Sequence, residues 1–568
     1  MRRMTVGLMF LLGLLAADNA AAEDGEDVLL TEASVELERL WATLSTQPEP
    51  AYWLAFGIVD RSVTEFQATH GAASTVAHNR VRLADVDLRV GSPELDNTHK
   101  ILDGGWFSEE SRPHVDIPFT DEPDAIRVGL WRATDHAYRS AVRRLIKVRT
   151  NEAIKVARED QSADFSMVEP IVDVRDTPTL TIDEVYWQDT VRSLSEIFLE
   201  HPQVFDSNVS LRIQHDIHYV LTSEGTQVRH GRYRVRIAAW GRTVAEDGME
   251  LDVYDYVDAA GLDALPDLAA LEAMVTGVAQ RVTQLREAPL VEPYVGPAIL
   301  RGRAAAVFFH EILGHRVEGH RQKDEDEAQT LTDKVGEPIL PTFLSVTDDP
   351  TLVNFEGVDL NGFYPYDDEG VAGQRVAVVE DGVLRNFLMS RAPIDGFAQS
   401  NGHGRRQSGE GVVARQGNLL IEANADTAVS YDELRAQLVD EIRRQDKPFG
   451  LIFDDITGGF TFTGRATPNS YSVQPVTVLR VYPDDRPDEL VRGVDMIGTP
   501  LITFSRIEAA SDSYQVFNGV CGAESGWVPV SAIAPDLLVR EIEVQRKEKD
   551  NDRPPLLGPP TTHTGEGS

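Results

Sequence analysis

The sequence predicts an α+β fold, in which an N-terminal mixed α/β domain is followed by a mostly antiparallel β C-terminal domain that carries one distorted helix. Long helical patterns and alternating strand patterns mix before residue 290, whereas short alternating segments, glycines and turns dominate from Tyr294 onward. The 568 residues are enough for two or more domains with large cores. We therefore expect the first domain over residues 23–290 and the second over residues 291–547.

The first residues have the pattern of a secretory signal peptide. Two arginines precede an apolar run over residues 4–17 and a small-residue stretch that ends at Ala22. The apolar run of about 14 residues is shorter than the roughly 20 that a spanning helix needs, which disfavours a membrane anchor. We expect a signal peptide at residues 1–22, export to the periplasm or the extracellular space, and no membrane span in the mature chain.

Periodicity identifies the main elements of the first domain. Apolar residues at helical spacing indicate helices, and apolar–polar alternation between turn residues indicates strands. The turn at Glu224-Gly225 separates two alternating segments, as in an antiparallel pair. We expect helices over residues 23–47, 138–157 and 266–287, and strands around residues 81–90, 209–213 and 233–237.

In the second domain the clearest signals are one hairpin and one helix. Asp381-Gly382 is a typical two-residue hairpin turn, and it lies between strand-like segments at residues 376–378 and 384–387. Apolar residues at 434, 438 and 442 predict a helix near residues 431–444. The segment after about residue 548 is polar and rich in Pro, Gly and Thr, so we expect a disordered tail at residues 548–568.

Charge and cysteine content narrow the possible functions. The formal net charge of −38 argues against nucleic acid as a partner, because a strongly acidic surface repels polyphosphates.

A single cysteine, Cys521, excludes an internal disulfide. Its thiol is therefore buried and inert, paired between chains, or a metal ligand.

The segment H-E-I-L-G-H at residues 310–315 has the residue types of a metal-hydrolase centre. Its two imidazoles can hold Zn²⁺, and Glu311 between them can act as general base toward a metal-bound water, as in H-E-x-x-H enzymes. His310 and His315 are one residue further apart than in that motif, which places them about 140° apart on a regular helix. We therefore expect a locally distorted helix, through a π-bulge or a left-handed Gly314.

Two ordinary histidines on a surface helix would also explain this segment. The six residues before it, 304–309, are all apolar, so the helix is expected to be buried before it reaches the polar residues. Buried histidine and glutamate side chains need partners. This context favours the metal site.

Four blocks of the second half resemble the TldD/PmbA family of metalloproteases, and they follow the order that the family has. The segment H-E-I-L-G-H-R-V-E-G at residues 310–319 resembles the family signature H-E-x-x-G-H-R-x-E-G. The segments D-D-E-G at 367–370, N-G-H-G-R-R at 401–406 and C-G-A-E at 521–524 resemble three further family blocks. The resemblance covers roughly residues 294–540, and residues 23–200 share it only in outline.

The resemblance implies one Zn²⁺ per chain, held by His310, His315 and Cys521, with one coordination position open for catalysis. It implies that Glu311 activates the zinc-bound water that attacks a peptide carbonyl. The expected function is thus a zinc metallopeptidase for unfolded or small peptides, with its site enclosed between two subunits of a homodimer or of a heterodimer with a related family subunit. The alternatives are a non-catalytic peptide-binding or scaffold partner that retains its zinc site, and a zinc amidohydrolase of non-peptide substrates.

Further residues of these blocks have open roles. Arg405 and Arg406 orient substrate or close the second domain, and Asp367 and Asp368 carry the same alternatives. Glu318 and Arg316 support the metal site by fixing the distorted helix or form a plain surface ion pair.

Overall fold

The computed structural model describes residues 27–101, 114–152, 160–465, 471–498, 500–547 and residue 555. The expected signal peptide at residues 1–22 lies outside the described residues, as does the expected tail at 548–568 apart from Pro555. Two large β-sheets with helices packed on them form an α+β fold, as predicted. Within the described ranges, no helix combines the length and the apolar character that a bilayer crossing requires.

An eight-stranded sheet and four helices form the first half of the fold. The strands are β1 (Ala51–Thr69), β2 (Ala72–Ser92), β3 (Leu95–Asp96), β4 (His114–Asp116), β5 (Val172–Val174), β6 (Asp206–Thr222), β7 (Gln227–Val244) and β8 (Glu250–Ala259). The helices are α1 (Val28–Leu44), α2 (Pro123–Glu152), α3 (Glu184–Glu196) and α4 (Leu268–Glu287). The strand order is β3-β2-β1-β6-β7-β5, with β4 beside β2 and β8 beside β7. Among the described strands of this sheet, only β5 and β7 pair in parallel.

Successive side chains of β1 point to opposite faces of this sheet. Leu54 and Phe56 are buried beneath α1 and α2, and Phe66 farther along the strand is buried beneath α3 and α4. The opposite face of the sheet lies against the second half of the chain. At Gly57, for example, an added Cβ would lie 2.6 Å from a guanidinium nitrogen of Arg406. The helices therefore cover one face of the sheet, and the second half approaches the other.

An eleven-stranded sheet with two small two-stranded ladders forms the second half. The strands are β9 (Tyr294–Leu300), β10 (Leu344–Asp348), β11 (Asn354–Phe355), β12 (Val358–Asp359), β13 (Val376–Glu380), β14 (Val383–Leu384), β15 (Gly404–Arg405), β16 (Val413–Ala414), β17 (Asn418–Ala423), β18 (Gly450–Thr461), β19 (Tyr471–Val481), β20 (Glu489–Val491), β21 (Val494–Gly498), β22 (Ile507–Ala523) and β23 (Gly526–Arg546). The helices are α5 (Gly302–Ile312), α6 (His320–Lys323), α7 (Tyr431–Arg444) and α8 (Pro500–Phe504). The large sheet has the order β14-β13-β10-β17-β23-β21-β19-β18-β9, and its described pairings are antiparallel except for β17 with β23 and β18 with β9.

The helix α5 carries the histidine motif, and it lies inside the second half. Ten of its eleven residues are buried. A helix that is apolar on all sides is stable only in such a position. It packs on β18, β22 and β23, so the sheet determines where the motif lies.

Buried ion pairs join the two halves. Arg391, which is fully buried, binds both carboxylate oxygens of Glu224 at 2.7 Å and donates to the carbonyl of Ser166 at 2.9 Å. Arg406 binds Asp87 of β2 at 2.5 Å. Arg406 thus joins the second half to the first, a structural role that differs from both roles left open for it, orienting substrate and closing the second domain.

Candidate active site

The chain changes its helical form between the two histidines of the motif. The helix α5 ends at Ile312, Leu313 follows with φ −105° and ψ −50°, and residues 314–317 form a 3₁₀ turn. The expected distortion is therefore present. It is neither a π-bulge nor a left-handed glycine, because Gly314 does not have a positive φ, and that part of the prediction was wrong.

A neighbouring side chain closely approaches Gly314. A Cβ at this position would lie 1.9 Å from Oε1 of Gln416, so the end of that buried side chain would have to move to make room for it. Gln416 lies with its Nε2 atom 3.4 Å from the carbonyl oxygen of His310, to which it donates. The glycine thus lets Gln416 pack against the turn between the two histidines.

The residues predicted as metal ligands lie together in the interior. The Sγ atom of Cys521, on β22, is 3.2 Å from Nε2 of His310 and 3.3 Å from Nε2 of His315. Each of the three residues is at most 6% exposed, and the two imidazole ring centres are 5.1 Å apart. We call His310, His315 and Cys521 the ligand cluster.

Each member of the ligand cluster changes the protonation of the others. Burial raises the pKa of the Cys521 thiol, but the charges of His315 and His310 outweigh burial and hold that pKa well below its ordinary value. Burial lowers the pKa of both imidazoles, but the neighbouring thiolate outweighs burial and raises the pKa of His310 and of His315. The site therefore favours the thiolate, which is the form that binds metal ions.

The ligand cluster fits Zn²⁺. A tetrahedral ion with Zn–S about 2.3 Å and Zn–N about 2.0–2.1 Å separates a sulfur and a nitrogen ligand by about 3.5 Å. The distances of 3.2 and 3.3 Å in this structure are close to that value. One thiolate and two imidazoles are also donors that zinc accepts well, and three protein ligands leave one coordination position free.

Glu311 lies beside the ligand cluster. Its Oε2 atom is 4.0 Å from Nε2 of His315, and its side chain is 10% exposed. A Cβ added at Gly459 of β18 would lie 3.0 Å from Cγ of Glu311, so β18 passes directly over this side chain. The carboxylate is within reach of a water that also contacts the ligand cluster.

Glu318 is a fully buried carboxylate that orients His315. Its Oε2 atom accepts hydrogen bonds from Nδ1 of His315 at 3.2 Å and from Nε of Arg321 at 2.8 Å. Burial raises the pKa of Glu318, but the charges of His315 and Arg321 outweigh burial and bring the pKa to about 2. A histidine ligand often donates its second N–H to a carboxylate, which leaves the other nitrogen for the metal. The contacts thus exclude a plain surface ion pair.

The sequence reasoning missed two arginines that extend this network. Arg321 binds Glu318 and also Glu524, the latter at 2.8 Å. Arg415 donates to the carbonyl of Cys521 at 2.8 Å, and its Nε atom is 3.4 Å from Oε1 of Glu318. The sequence signals for this network were the membership of Glu318 and Glu524 in family blocks and the place of Arg415 after the N-G-H-G-R-R block.

The D-D-E-G block lies apart from the ligand cluster. Asp367 is buried and accepts hydrogen bonds from the backbone N–H groups of Glu369, Val371 and Gly404 at 2.9–3.0 Å, so it holds a turn together. Asp368 and Arg405 line a separate cavity whose lining does not include the ligand cluster.

Comparison with known proteins gives an independent result for the second half. Residues 294–546 match the family model of the PmbA/TldA metallopeptidase C-terminal domain. The chain is 28% identical over 242 residues to a metalloprotease of Archaeoglobus fulgidus, which is 43% of this chain and 51% of that protein. It is 23% identical over 252 residues to a zinc metalloprotease TldD homolog of Saccharolobus solfataricus, which is 44% of this chain and 51% of that protein. The chain thus spans about half the length of these curated relatives.

The similarity of fold extends beyond the similarity of sequence. The crystal structure of TldE from Thermococcus kodakarensis matches with a TM-score of 0.57 and 16% identity, over 90% of this chain and 100% of that chain. At that identity the match shows the fold alone. The family model and the curated relatives agree: residues 294–546 of the chain form a domain of the PmbA/TldA metallopeptidase C-terminal type.

Proposed function

We propose that this protein is an exported zinc metallopeptidase that hydrolyses peptide bonds in unfolded or small peptides. The observation that carries the proposal is the buried convergence of His310, His315 and Cys521, with Glu311 alongside. The match of residues 294–546 to a metallopeptidase family domain supports the reaction class. The two imidazoles and the thiolate would hold one Zn²⁺ per chain.

The residues around the ligand cluster supply the parts of a hydrolytic mechanism. Zn²⁺, when bound, supplies a Lewis acid that polarises the peptide carbonyl and lowers the pKa of a water. Glu311 accepts a proton from the attacking water and delivers it to the nitrogen of the leaving amine as the peptide C–N bond breaks. Glu318 keeps the proton of His315 on Nδ1 and leaves Nε2 free to bind the metal.

The free edge of β18 supports an extended peptide as substrate. On one side β18 pairs with β19, and on the other side β9 pairs only with residues 451–453. No strand among the described residues occupies that second side along residues 455–460, and this stretch includes Gly459 above Glu311. A peptide added as a strand there would bring its backbone beside the carboxylate of Glu311. Only an unfolded or short chain offers such a free backbone.

The test combines metal analysis and peptide cleavage on the purified mature protein and its Glu311→Gln variant. We expect the wild type to contain one zinc per chain and to cleave a reduced and alkylated protein faster than the same protein in its native form. The variant should keep its zinc while cleavage falls by about 10²–10⁴-fold, because only the general base is removed. Zinc-loaded wild type that cleaves no unfolded peptide would favour the non-catalytic partner, and cleavage of non-peptide amides alone would favour the amidohydrolase.

The export of the chain and its assembly with a second subunit can each be tested separately. Fusion of residues 1–22 to a reporter that is active only outside the cytoplasm should give activity, and a fusion that lacks the apolar run at residues 4–17 should not. The family resemblance implies pairing with a second copy or with a related subunit. Analytical ultracentrifugation of the chain alone, and after co-expression with a related chain, distinguishes the homodimer from the heterodimer, and a monomer in both cases would contradict the expectation.

A further inference from the structure

A cavity of about 400 Å³ lies between the first sheet and the second half of the chain. Strands β1, β2, β6 and β7 form one wall, and residues 361–368, 405–408 and 527–529 form the other. Its volume is in the range of small-molecule sites, which is about 300–1,000 Å³. The peptidase mechanism makes no use of this cavity.

Six arginines line the cavity; Arg175 is paired with Asp173 and Arg406 with Asp87, and the other four give the cavity a cationic wall: Arg61, Arg232, Arg234 and Arg405. Arg61 and Arg234 share one carboxylate, that of Asp216, which is 1% exposed. The Nε atom of Arg61 lies 2.5 Å from this carboxylate, and Arg234 binds its other oxygen. One carboxylate charge is therefore shared by two guanidinium charges and neutralises only half of their sum.

The other two arginines donate hydrogen bonds to carbonyl oxygens, and carboxylates act on them only at longer range, Asp216 and Asp359 on Arg232 and Asp368 and Asp348 on Arg405. Arg232 donates to the carbonyl oxygens of Phe363 and Leu360 at 2.8 and 3.1 Å, and Arg405 donates to the carbonyl of Gln416 at 2.6 Å. Among the described residues, no carboxylate lies within 4.0 Å of either guanidinium group. Carbonyl oxygens satisfy the N–H groups but do not neutralise the charge, and an uncompensated buried charge is costly.

The remaining aspartates on the lining have other partners or lie in solvent, and of these Asp368 offsets part of the charge of Arg405. Asp85 lies beside Arg406, and Asp367 accepts hydrogen bonds from three backbone N–H groups. Asp368 accepts a hydrogen bond from the backbone N–H of Arg406 at 2.7 Å. Asp176 is fully exposed to solvent.

The guanidinium groups also repel one another. The pKa of Arg232 is lowered to about 10, mainly by burial and next by the charge of Arg234. Burial also lowers the pKa of Arg234 and of Arg405. The charges of Arg61 and Arg405 lower the pKa of Arg234 further, whereas the carboxylates of Asp368 and Asp348 act to raise the pKa of Arg405. Arginine remains protonated at neutral pH despite such shifts. The chain has a net charge of −38, yet the arginines at this cavity carry more positive charge than the neighbouring carboxylates neutralise.

We propose that this cavity binds a small organic anion through its carboxylate group. The planar forks of Arg232, Arg234 and Arg405 match the geometry of a carboxylate, which would supply the missing negative charge. Val59 and Leu83 on the same lining give apolar contacts to the rest of the ligand. The combination of cationic and apolar walls favours an organic carboxylate over inorganic phosphate, and the inference does not rest on the peptidase activity.

Isothermal titration calorimetry on the purified, zinc-loaded protein tests the proposal with hydrocinnamate, a carboxylate that carries an apolar ring. The neutral amide hydrocinnamamide and inorganic phosphate serve as probes at matched ionic strength. We expect hydrocinnamate to bind saturably with one site per chain, and both other probes to bind at least about tenfold more weakly. Equal binding of the amide or of phosphate, or no saturable binding of hydrocinnamate, would overturn the assignment.

Two variants locate the binding. Arg234→Gln and Arg61→Gln should each weaken hydrocinnamate binding about tenfold or more, and Arg61 is the safer site for the fold because its side chain is 38% exposed. Arg236→Gln is the matched control, because Arg236 lies on the same strand, is paired with Asp258 and is outside the cavity lining. Unchanged affinity in both folded cavity variants would assign the anion to another site, such as the metal centre, and would contradict the proposal.

Discussion

The Sγ atom of Cys521 lies 3.2 Å from the Nε2 atom of His310, although 211 positions separate the two residues in the chain. The contact exists because α5 packs on β22, which carries Cys521, and on β23, its partner in the hairpin. The predicted zinc centre therefore depends on the fold of the whole second half and not on the motif helix alone.

Replacing Glu318 by glutamine should weaken zinc binding without unfolding the protein. The amide oxygen can still accept from His315 and Arg321, but the negative charge is lost and the amide NH2 group faces Arg415, so His315 is held less firmly. We expect zinc affinity, measured by competition with a chelator, to fall about 10–100-fold. Glu327→Gln is the matched control, because Glu327 also binds Arg321. Equal affinity of the two variants would show that Glu318 does not support the metal site.

Adding a methyl group at Gly459 should reduce peptide cleavage. The new Cβ would lie 3.0 Å from Cγ of Glu311 and 3.1 Å from the carbonyl oxygen of Ser472. Because the carbonyl is held in β19, the Glu311 side chain is the group that moves, and we expect kcat/KM of Gly459→Ala to fall about tenfold or more. At the neighbouring Gly458 a Cβ meets nothing within 4 Å. A matching loss in Gly458→Ala would refute the role of the Glu311 contact.

Local patterns predicted those elements of the fold whose periodicity is uninterrupted. The helix α7 has the expected bounds because Leu434, Leu438 and Ile442 are all buried on one face. The strand β1, in contrast, received no prediction, because its first half is buried on both faces and shows no alternation. Its extended form is set by pairing with β2 and β6 on its two sides, and these contacts are distant in sequence.

The candidate site was predictable only in part. The motif and the family resemblance named the ligand cluster and Glu311, which the structure brings together, while their roles stay predictions. Gln416 and Arg321 were not foreseen, because they reach the site from separate segments that meet only in the folded chain. The form of the distortion at Gly314 was also missed, since it follows from the packing of Gln416 and not from local backbone preference.

Loss of Arg391 should weaken the junction between the two halves. Its guanidinium group binds Glu224 twice and Ser166 once, and its side chain is fully buried. Removing one partner of such a pair leaves a poorly solvated charge, so Arg391→Ala should lower the free energy of unfolding by about 3–5 kcal/mol. Urea unfolding followed by tryptophan fluorescence measures the change. The surface variant Arg443→Ala, whose pair with Asp440 is largely exposed, should change it by less than about 1 kcal/mol; an equal effect of the two would contradict the account.

The contribution of Asp96 to stability should depend on pH. Burial raises the pKa of Asp96, but the charge of Arg89 and hydrogen bonds from Tyr52 and Thr98 outweigh burial and hold the pKa below its ordinary value. A lowered pKa in the folded state means that the ionised group stabilises the fold above about pH 4, and that this contribution is lost as the pH falls further.

Asp96→Asn should therefore lower the free energy of unfolding by about 3 kcal/mol at pH 7 and by less at pH 3. Chemical unfolding at the two pH values measures the difference, with Asp263→Asn at an exposed position as control. A loss of the same size at both pH values would contradict the linkage.

Zinc K-edge X-ray absorption on the purified protein tests the central claim most directly. The account predicts one zinc per chain, with one sulfur neighbour at about 2.3 Å and two imidazole nitrogens at about 2.0–2.1 Å. In Cys521→Ser the sulfur neighbour should vanish and zinc retention should fall, while the fold remains. A zinc shell without sulfur in the wild type, or unchanged zinc affinity in Cys521→Ser, would contradict the assignment of His310, His315 and Cys521 as the metal ligands.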